Sequence, residues 1–547
     1  MTAYIPSQAL SKILKSLANL NFKWFVLLLS LLGVFYSWYT SYPVPNYFLP
    51  YEDTFHFFNP LLWPSLSIAL MDLYLIGYST KNNYVKIFSS SLMVLLTFSP
   101  IFFYPILQIR HSGGDSAYFR GLSEHFLSLE TLTIGRKNVY NYYEWPLLFI
   151  FIKEIVIITG ISVNIVSFLF FATMTIVASL GLFAYLSDEY QINFAIPALF
   201  FMMFPLRGKW QFSAFSFAFT LLTIMLPMLN RKLKIPLILL FIALMLSHPV
   251  VTVFVIILLL FLLALRISNK YVDIACLFLA IYFSDVMYRT VVFFNSSLPR
   301  YFSEIFVSTT YLLESYAPKL TPASQSPLYL TCAYVYGLTQ LFLVILMCLG
   351  FLRLIKSRKI RYIDLCVLLV GVISLFSYPL LKSLALRGDA LILVGLSNGF
   401  KGWLNRDKLK KFVSVSILLI LALYPATLIR DNFFPYTWSE TPSDLRADNF
   451  LTRFLSGPSY SAFAQGPNAI YLEVIAGISC NYISAAGKMY HPYFNETNFV
   501  LFNKELETHL KVFLHLPEEL VLEEIKKLFT NEDIIFSDGH TLIFQKS

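Results

Sequence analysis

The feature that most constrains this chain is a series of long apolar segments that contain few charged residues. A helix rises about 1.5 Å per residue, so about 20 apolar residues cross the hydrocarbon core of a membrane. The ten clearest segments are residues 24–40, 60–78, 87–107, 161–186, 210–229, 250–265, 272–294, 328–351, 362–381 and 412–429. Charged residues make up only 13% of the sequence, where a soluble protein has about 25%. The sequence therefore predicts an all-α, polytopic membrane protein rather than a soluble enzyme or a disordered chain.

Charge divides the chain into two parts. Residues 1–430 hold 33 Lys and Arg against 17 Asp and Glu, a net charge of +16, whereas residues 431–547 hold 8 against 15, a net charge of −7. In membrane proteins Lys and Arg collect in short cytoplasmic loops. The basic residues of the first part fall in such loops, most densely at residues 353–361 and 401–411. This predicts a cytoplasmic N-terminus, an external tail and a plasma-membrane location, and it explains the overall charge of +9 without a nucleic-acid partner.

Four shorter apolar segments complicate the count of crossings. A helix of about 11–16 residues barely crosses a membrane or ends inside it. The charges place His111 outside and Arg231 inside, which requires an odd number of crossings between them, yet four candidates lie there. One of residues 145–160 and 192–205 is therefore predicted to be re-entrant, and the total is about thirteen crossings. The four shorter segments are residues 145–160, 192–205, 235–247 and 389–399.

The tail has the pattern of a small soluble α/β domain. Residues 443–455 and 518–529 have the periodicity of amphipathic helices. Residues 534–544 form two apolar runs around an Asp-Gly pair, which predicts a terminal β-hairpin. We therefore divide the chain into a transmembrane domain, residues 1–430, and an extracytoplasmic domain, residues 431–547.

The external loop at residues 108–144 is the most informative segment for function. A Gly-Gly pair lets the chain turn sharply, and Asp115 then stands where it can cap a following helix. Tyr118 shares a helical face with Asp115, while Arg120 and Glu124 are spaced to pair on another face. Asp115 is either a helix cap alone or a carboxylate available for chemistry, and the residues by themselves leave both interpretations open.

Three further polar residues stand at predicted membrane boundaries, where functional groups concentrate. Glu144 precedes the Trp-Pro pair that opens a short apolar helix. His248 joins two apolar runs, where it is either a structural hydrogen-bonding group or a ligand-binding residue. Arg387 lies at the outer end of another short helix, where it either holds a lipid-linked phosphate or extends its guanidinium to the membrane surface.

The order of these elements resembles the GT-C superfamily of integral-membrane glycosyltransferases, most closely its prokaryotic and archaeal members. The resemblance rests on Gly114-Asp115-Ser116-Ala117-Tyr118-Phe119-Arg120, Glu144-Trp145-Pro146-Leu147-Leu148, Ser247-His248-Pro249 and Arg387, followed by an external soluble domain. It implies that a sugar is transferred from a polyprenyl-phosphate-linked donor in the bilayer. The acceptor would be a lipid, glycan or protein on the outer face.

The resemblance also implies roles for individual residues. Asp115 resembles the general base of the family, which takes the proton of the acceptor hydroxyl as it attacks the anomeric carbon. Arg387 is the candidate for stabilising the polyprenyl phosphate that leaves. His248, Tyr118 and Glu144 are expected to bind substrate. The tail lacks the Trp-Trp-Asp-Tyr-Gly motif of oligosaccharyltransferases, so neither a divalent metal nor another cofactor is expected.

Two other classes of protein fit the same sequence. A transporter or flippase would use short helices and charges within the membrane, such as Asp72, Lys153 and Glu154. A non-catalytic membrane scaffold would need Asp115 only as a helix cap. An inverted repeat would favour the transporter, and none is evident in the sequence.

Overall fold

The computed structural model describes most of the apolar segments and six short stretches of the tail. Most of the described residues lie in α-helices, as the all-α prediction requires. The described residues are 20–40, 59–108, 114–128, 141–187, 212–231, 234–264, 270–288, 327–376, 382–403, 407–423, 450–451, 461–464, 479–482, 499–503, 533–537 and 541–545.

The helices follow the apolar segments of the sequence closely. Every predicted segment except residues 192–205, which lie outside the described residues, contains a helix. In chain order they are α1 (Leu20–Tyr39), α2 (Leu62–Ser79), α3 (Asn83–Gln108), α4 (Gly114–Ser128), α5 (Leu147–Thr159), α6 (Val163–Ser187), α7 (Ala214–Arg231), α8 (Lys234–Met245), α9 (Pro249–Ala264), α10 (Lys270–Tyr288), α11 (Pro327–Lys356), α12 (Tyr362–Phe376), α13 (Lys382–Leu396) and α14 (Asp407–Ala422). Short 3-10 helices span Asn141–Glu144 and Ser397–Trp403.

The outward faces of several helices are apolar, which reverses the pattern of a soluble protein. On α1 the buried positions Lys23, Leu27, Ser30, Val34 and Ser37 recur at intervals of four and three residues, so they form one stripe. The remaining faces expose large apolar side chains. The exposed residues of α1 include Phe25, Leu28, Leu29, Leu32 and Phe35, and α11 exposes Leu338, Leu341, Ile345, Leu349 and Leu352.

Within the described residues, one helical stretch, Gly337–Lys356, is both long and apolar enough to cross a membrane. The other apolar stretches have 10–17 residues. They are Phe22–Ser37, Ile176–Leu186, Ala214–Leu229, Ile235–Met245, Pro249–Ala264, Tyr362–Ser374 and Lys411–Ala422. The total of about thirteen crossings stays a prediction.

Helices α6 and α7 pack closely and run in the same direction. A Cβ on Gly181 would lie 2.8 Å from the backbone of Thr223, and the ring centroids of Phe170 and Phe212 are 5.1 Å apart. The two pairs have the same separation in sequence, so the helices are parallel. The chain therefore leaves α6 at one end of the bundle and enters α7 at the other.

A buried ion pair joins the C-terminal end of α6 to the start of α12. The Arg361 guanidinium donates from Nε to Asp364 Oδ2 and from Nη2 to Asp364 Oδ1, both at 2.9 Å. Arg361 Nη1 also donates to the backbone oxygen of Tyr185 at 3.0 Å, and the Tyr185 hydroxyl donates to Asp364 Oδ1. The bidentate geometry and the added hydrogen bonds offset the cost of removing these charges from water. We call this side of the bundle the Arg361 end.

The opposite side is the His248 end, and the contacts assign the helix termini between the two ends. The ring of His248 lies 5.6 Å from that of Phe215, at the start of α7. Helices α12 and α13 are antiparallel, because Gly371 meets Ile392 and Gly395 meets Leu368. Helix α13 therefore begins toward the His248 end.

Helices α1 and α2 extend this arrangement. Lys23 Nζ donates to Ser79 Oγ at 3.2 Å, which joins the start of α1 to the end of α2. The other termini meet through Asn59 Nδ2 and Thr40 Oγ1 at 2.8 Å. Ser67, near the start of α2, donates to the backbone oxygen of Ala422 at the end of α14. The 3-10 helix Ser397–Trp403, which precedes α14, packs on Gly350 near the end of α11 and so lies toward the Arg361 end. Helix α14 therefore ends toward the His248 end, and the N-terminal end of α2 lies there too.

The tail contains a five-stranded mixed sheet. The strands are β1 (Ser461–Ala464), β2 (Ser479–Tyr482), β3 (Phe499–Asn503), β4 (Asp533–Ser537) and β5 (Thr541–Gln545), in the spatial order β2-β1-β3-β5-β4. Strand β1 is parallel to β2 and β3, whereas β5 is antiparallel to β3 and β4. The antiparallel β4–β5 pair agrees with the predicted hairpin. The two predicted tail helices fall largely outside the described residues.

The ion pair at the Arg361 end generates a prediction about stability. Replacing Asp364 by Ala leaves the buried Arg361 guanidinium without a counter-charge, so we expect a loss of about 3–5 kcal/mol in the free energy of unfolding. The measurement is thermal unfolding of the purified protein in detergent, with exposed Asp273→Asn as the control. The double variant Arg361→Met/Asp364→Leu should recover much of the loss. Equal Tm values for Asp364→Ala and the control would contradict the prediction.

Candidate functional site

A second apolar cluster, separate from the main core of the bundle, joins the helix that carries Asp115 to the segment around Glu144. It is formed by α4, the 3-10 helix before α5, α5 itself and the neighbouring parts of α6 and α7. Its centre is aromatic: Tyr143 meets Phe149 edge-on at 5.2 Å and Phe126 at 5.4 Å, and Phe126 stacks on Phe149 at 5.6 Å. Such ring pairs add to the stabilisation from burial. They fix α4 against α5.

Helix α4 presents one buried face to this cluster. Phe119, Leu122 and Phe126 are buried at helical spacing. The helix begins at Gly114, so the backbone of Asp115 lies in its first turn. The structure describes the backbone of Asp115 and Tyr118 but not their side chains.

Arg120 is the most deeply buried charged residue of α4, with no exposed surface. Its Nε lies 3.9 Å from Glu124 Oε1, so the predicted pair one turn apart is confirmed. The sequence predicted the pairing but not the burial. A guanidinium that is removed from water needs anionic or hydrogen-bonding partners, which makes Arg120 a residue that holds α4 in place.

A hydrogen-bonded chain connects α4 to the segment before α5. The Tyr143 hydroxyl donates to the backbone oxygen of Leu122 at 2.8 Å, and His125 Nδ1 lies 2.8 Å from the same hydroxyl. Because the hydroxyl has a single proton, which it gives to Leu122, His125 Nδ1 must be the donor in the second bond. Partial burial lowers the pKa of the His125 imidazole. The sequence did not single out this pair, whose members are 18 positions apart.

The start of α5 contacts the turn that carries His248. The backbone amide of Leu147 donates to the backbone oxygen of Leu246 at 3.0 Å. His248 is 3% exposed, and its Nδ1 accepts a hydrogen bond from the amide of Val250 at 3.3 Å. In the neutral ring the proton is therefore on Nε2. This contact brings the α8–α9 turn beside the segment that begins at Glu144.

Glu144 is buried, with 7% of its surface exposed, at the end of the 3-10 helix. It follows Tyr143 directly and lies three residues before Leu147. The structure thus brings Glu144, His248 and the helix that begins beside Asp115 to one part of the His248 end. The Glu144 carboxylate can accept a hydrogen bond or a proton from a hydroxylated ligand, and the Nε2–H of the His248 imidazole can donate a hydrogen bond.

Arg387 lies on a different helix pair. The antiparallel register of α12 and α13 places its backbone opposite the C-terminal end of α12, toward the His248 end. Its side chain lies outside the described residues. The structure therefore places the backbone of Arg387 toward the His248 end, and its role stays a prediction.

The two charges predicted within α5 have different surroundings. Lys153 Nζ lies 5.7 Å from the centroid of the Phe126 ring, which is a cation–π contact at the edge of the aromatic cluster. Glu154 is exposed. In the part of the chain that the structure describes, no three His, Cys, Asp or Glu side chains are grouped as metal ligands.

Comparison with known proteins adds no family to this description. No protein-family model matches the chain, and no curated protein matches it in a sequence search. The interpretation of the site therefore depends on its geometry and on the sequence pattern.

The His125–Tyr143 contact predicts a pH effect on stability. Because burial lowers the pKa of His125 in the folded state, the unfolded chain takes up the proton first as the pH falls. Above about pH 6.5 the ring is neutral in the folded and the unfolded state, so the His125–Tyr143 contact stabilises the fold in full. Below that pH the unfolded chain binds a proton more readily than the folded protein, so the free energy of unfolding falls. The measurement is the Tm of wild type and of His125→Asn between pH 5 and 8.

Asn retains a side-chain donor near the position of Nδ1 but does not titrate, so the wild type should lose more stability on acidification than His125→Asn. His540→Asn in the tail serves as the control and should follow the wild type. Parallel pH curves for the wild type and His125→Asn would contradict the prediction.

Proposed function

We propose that this chain is a multi-pass membrane glycosyltransferase of the GT-C type. It transfers a sugar from a polyprenyl-phosphate-linked donor to a lipid, glycan or protein acceptor at the outer face. The observation that carries the proposal is the contact between the start of α5 and the α8–α9 turn, which gathers the α4 helix, Glu144 and His248 at one end of the bundle.

The exposed apolar faces support the membrane part of the proposal. Soluble proteins rarely expose large contiguous apolar surfaces, whereas α1 and α11 expose rows of Leu, Ile and Phe and bury serine, threonine and lysine. A lipid environment stabilises such outward faces. The helical backbone satisfies its own hydrogen bonds, as a membrane segment requires.

The distribution of charge supports the proposed orientation. The basic residues Arg353, Lys356, Arg358 and Lys359 lie together at the Arg361 end. Basic loops face the cytoplasm, so the His248 end faces outward. Because α6 and α7 are parallel, we propose that residues 145–160, and not residues 192–205, are the re-entrant segment that the charges require. Helix α5 is then the short segment that does not add a crossing.

The proposed chemistry assigns one role to each charged group. Asp115 accepts the proton of the acceptor hydroxyl as its oxygen bonds to the anomeric carbon of the sugar. The bond from that carbon to the phosphate oxygen breaks, and the polyprenyl phosphate leaves with its electron pair. Arg387 stabilises the negative charge of the leaving phosphate by charge-assisted hydrogen bonds. Tyr118, Glu144 and His248 orient the two substrates.

We also propose that residues 431–547 form an external α/β domain. Parallel strands require connections of a dozen residues or more, usually with a helix. The parallel pairs β1–β2 and β1–β3 therefore fit the helical pattern that the sequence predicts for the tail. Such a domain beside the His248 end would contact the acceptor.

One observation favours a transporter as the second candidate. Asp72 is 5% exposed in the middle of α2, and among the described residues its Oδ2 accepts no hydrogen bond. Lys23 of α1 is also buried and interacts with it electrostatically. Charged groups inside spanning helices often line transport pathways. Loss of solute transport in Asp72→Asn, with sugar transfer unchanged, would favour this function.

The first functional prediction concerns the base. Asp115→Asn keeps the size of the side chain but removes the proton acceptor, so sugar transfer should fall at least about a hundredfold. The assay uses the full-length protein in proteoliposomes with a panel of radiolabelled polyprenyl-phosphate hexoses. Exposed Glu154→Gln on α5 is the matched control and should retain activity. A correctly inserted Asp115→Asn variant with normal transfer would refute the role of Asp115.

The second functional prediction concerns the donor phosphate. Arg387→Ala removes the proposed phosphate contact, so the KM for the lipid-linked donor should rise and kcat should fall, while the KM for the acceptor changes little. Arg387→Lys should restore part of the activity, because it retains the charge. Equal effects on donor and acceptor would indicate that Arg387 has a packing role.

A further inference from the structure

The turn between α11 and α12 has an unusual combination of conformation and charge. The backbone amide of Lys359 donates to the carbonyl oxygen of Leu354 at 3.0 Å. The backbone amide of Arg358 donates to the carbonyl oxygen of Ile355 at 2.9 Å. This is the Schellman pattern that ends many helices, and it requires a left-handed residue after the helix. That residue is Arg358, with φ of 55°.

A left-handed conformation is unfavourable for arginine. Glycine adopts it without cost, and asparagine is the common alternative, because a longer side chain crowds the backbone. Arg358 is the only residue other than glycine with positive φ in the described part of the chain. The turn therefore carries backbone strain that a glycine would relieve. An observed strain of this kind motivates a search for a function of the side chain.

Four cations project from this turn. Arg353, Lys356, Arg358 and Lys359 are exposed, and the described residues provide none of them with an ion pair. The nearest acidic residue in sequence, Asp364, is engaged by Arg361 and Tyr185. Cations at a helix C-terminus interact favourably with the helix dipole, but this effect is confined to the last turn. Arg358 and Lys359 lie beyond the end of α11, so the dipole does not account for them. We call these four residues the basic turn.

The surface beside the basic turn is apolar. On α11 the residues just before it, Leu349, Leu352 and Ile355, are 47%, 58% and 43% exposed. Arg353 is held in place, because its guanidinium carbon lies 4.2 Å from the centroid of the buried Trp403 ring. The surface therefore places fixed positive charge directly beside exposed aliphatic side chains. An amphiphile with an anionic head and an apolar tail matches both parts.

We propose that the basic turn binds the head group of an anionic phospholipid at the cytoplasmic face, while the acyl chains lie along the exposed side of α11. Clusters of Lys and Arg beside a spanning helix attract anionic lipids by about 1 kcal/mol per residue, or about fivefold in affinity. This inference rests on the membrane part of the proposed function and is independent of the sugar-transfer chemistry. Arg358 adds its exposed charge to this cluster.

The test uses the full chain in nanodiscs of phosphatidylcholine that contain a minor fraction of phosphatidylglycerol. Native mass spectrometry then measures which lipids stay on the protein. The wild type should retain phosphatidylglycerol in preference to phosphatidylcholine. The double variant Lys356→Gln/Lys359→Gln should lower this preference about tenfold or more. Equal retention by the variant and the wild type would overturn the proposal.

A matched control removes two exposed lysines elsewhere at the same end. Lys81→Gln/Lys411→Gln should retain the preference of the wild type to within about twofold, since neither residue belongs to the basic turn. An equal loss in this control would show that only overall charge matters and would also overturn the proposal. So would displacement of the lipid by inorganic phosphate as effectively as by added phosphatidylglycerol.

Arg358→Gly separates strain from binding. Glycine should raise the Tm, because it relieves the left-handed conformation, yet it should weaken phosphatidylglycerol retention by about fivefold. A variant that is more stable and binds the lipid as well as the wild type would contradict the role of Arg358. If the wild type does not enter nanodiscs at all, the membrane proposal itself fails. If it enters them but shows no preference for phosphatidylglycerol, only the lipid-binding proposal fails.

Discussion

The close parallel packing of α6 and α7 is the constraint on which the position of the candidate site depends. Gly181 allows the backbone of Thr223 to approach so closely that any larger residue would force the helices apart. Because the helices are parallel, the start of α7 lies at the end of the bundle opposite the C-terminal end of α6, beside the turn of His248. The start of α5 contacts the same turn. The aromatic cluster on α5 then holds α4 there, together with Glu144 and the turn of His248.

The distribution of polar groups follows from the same bundle. Arg361 and Asp364 are buried, but each hydrogen-bonds to the other and to Tyr185, so the charges stabilise the contact between α6 and α12. Arg120 is buried beside Glu124 in the second cluster. By contrast, the four cations of the basic turn remain exposed at the Arg361 end. The chain thus separates a proposed reaction site at one end from a charged surface at the other.

Local features of the structure were largely predictable from the sequence. The apolar segments predicted the helices, the spacing of Arg120 and Glu124 predicted their pair, and the Asp-Gly pair predicted the terminal hairpin. These features depend on residues close in sequence, where periodicity and turn chemistry are informative. The helix predicted after the Gly-Gly pair is present and begins at Gly114, which places the backbone of Asp115 in its first turn.

Contacts between distant residues were not predictable in this way. Tyr185 and Arg361 are 176 positions apart, and nothing local to either indicates the other. The same holds for the parallel direction of α6 and α7 and for the strand order of the tail. The His125–Tyr143 bond was also missed, because a histidine in an amphipathic helix has no distinctive spacing. For Asp115, Tyr118 and Arg387 the structure supplies the backbone position, and their roles stay predictions.

The central claim is that the His248 end faces outward and the Arg361 end faces the cytoplasm. The most direct measurement labels single cysteines on intact cells with a membrane-impermeant maleimide, after the 5 native cysteines are replaced by alanine. Leu61→Cys is exposed at the His248 end. We expect Leu61→Cys to react on intact cells and Ser357→Cys to react only after permeabilisation. The reverse pattern would contradict the orientation and, with it, the proposed external site.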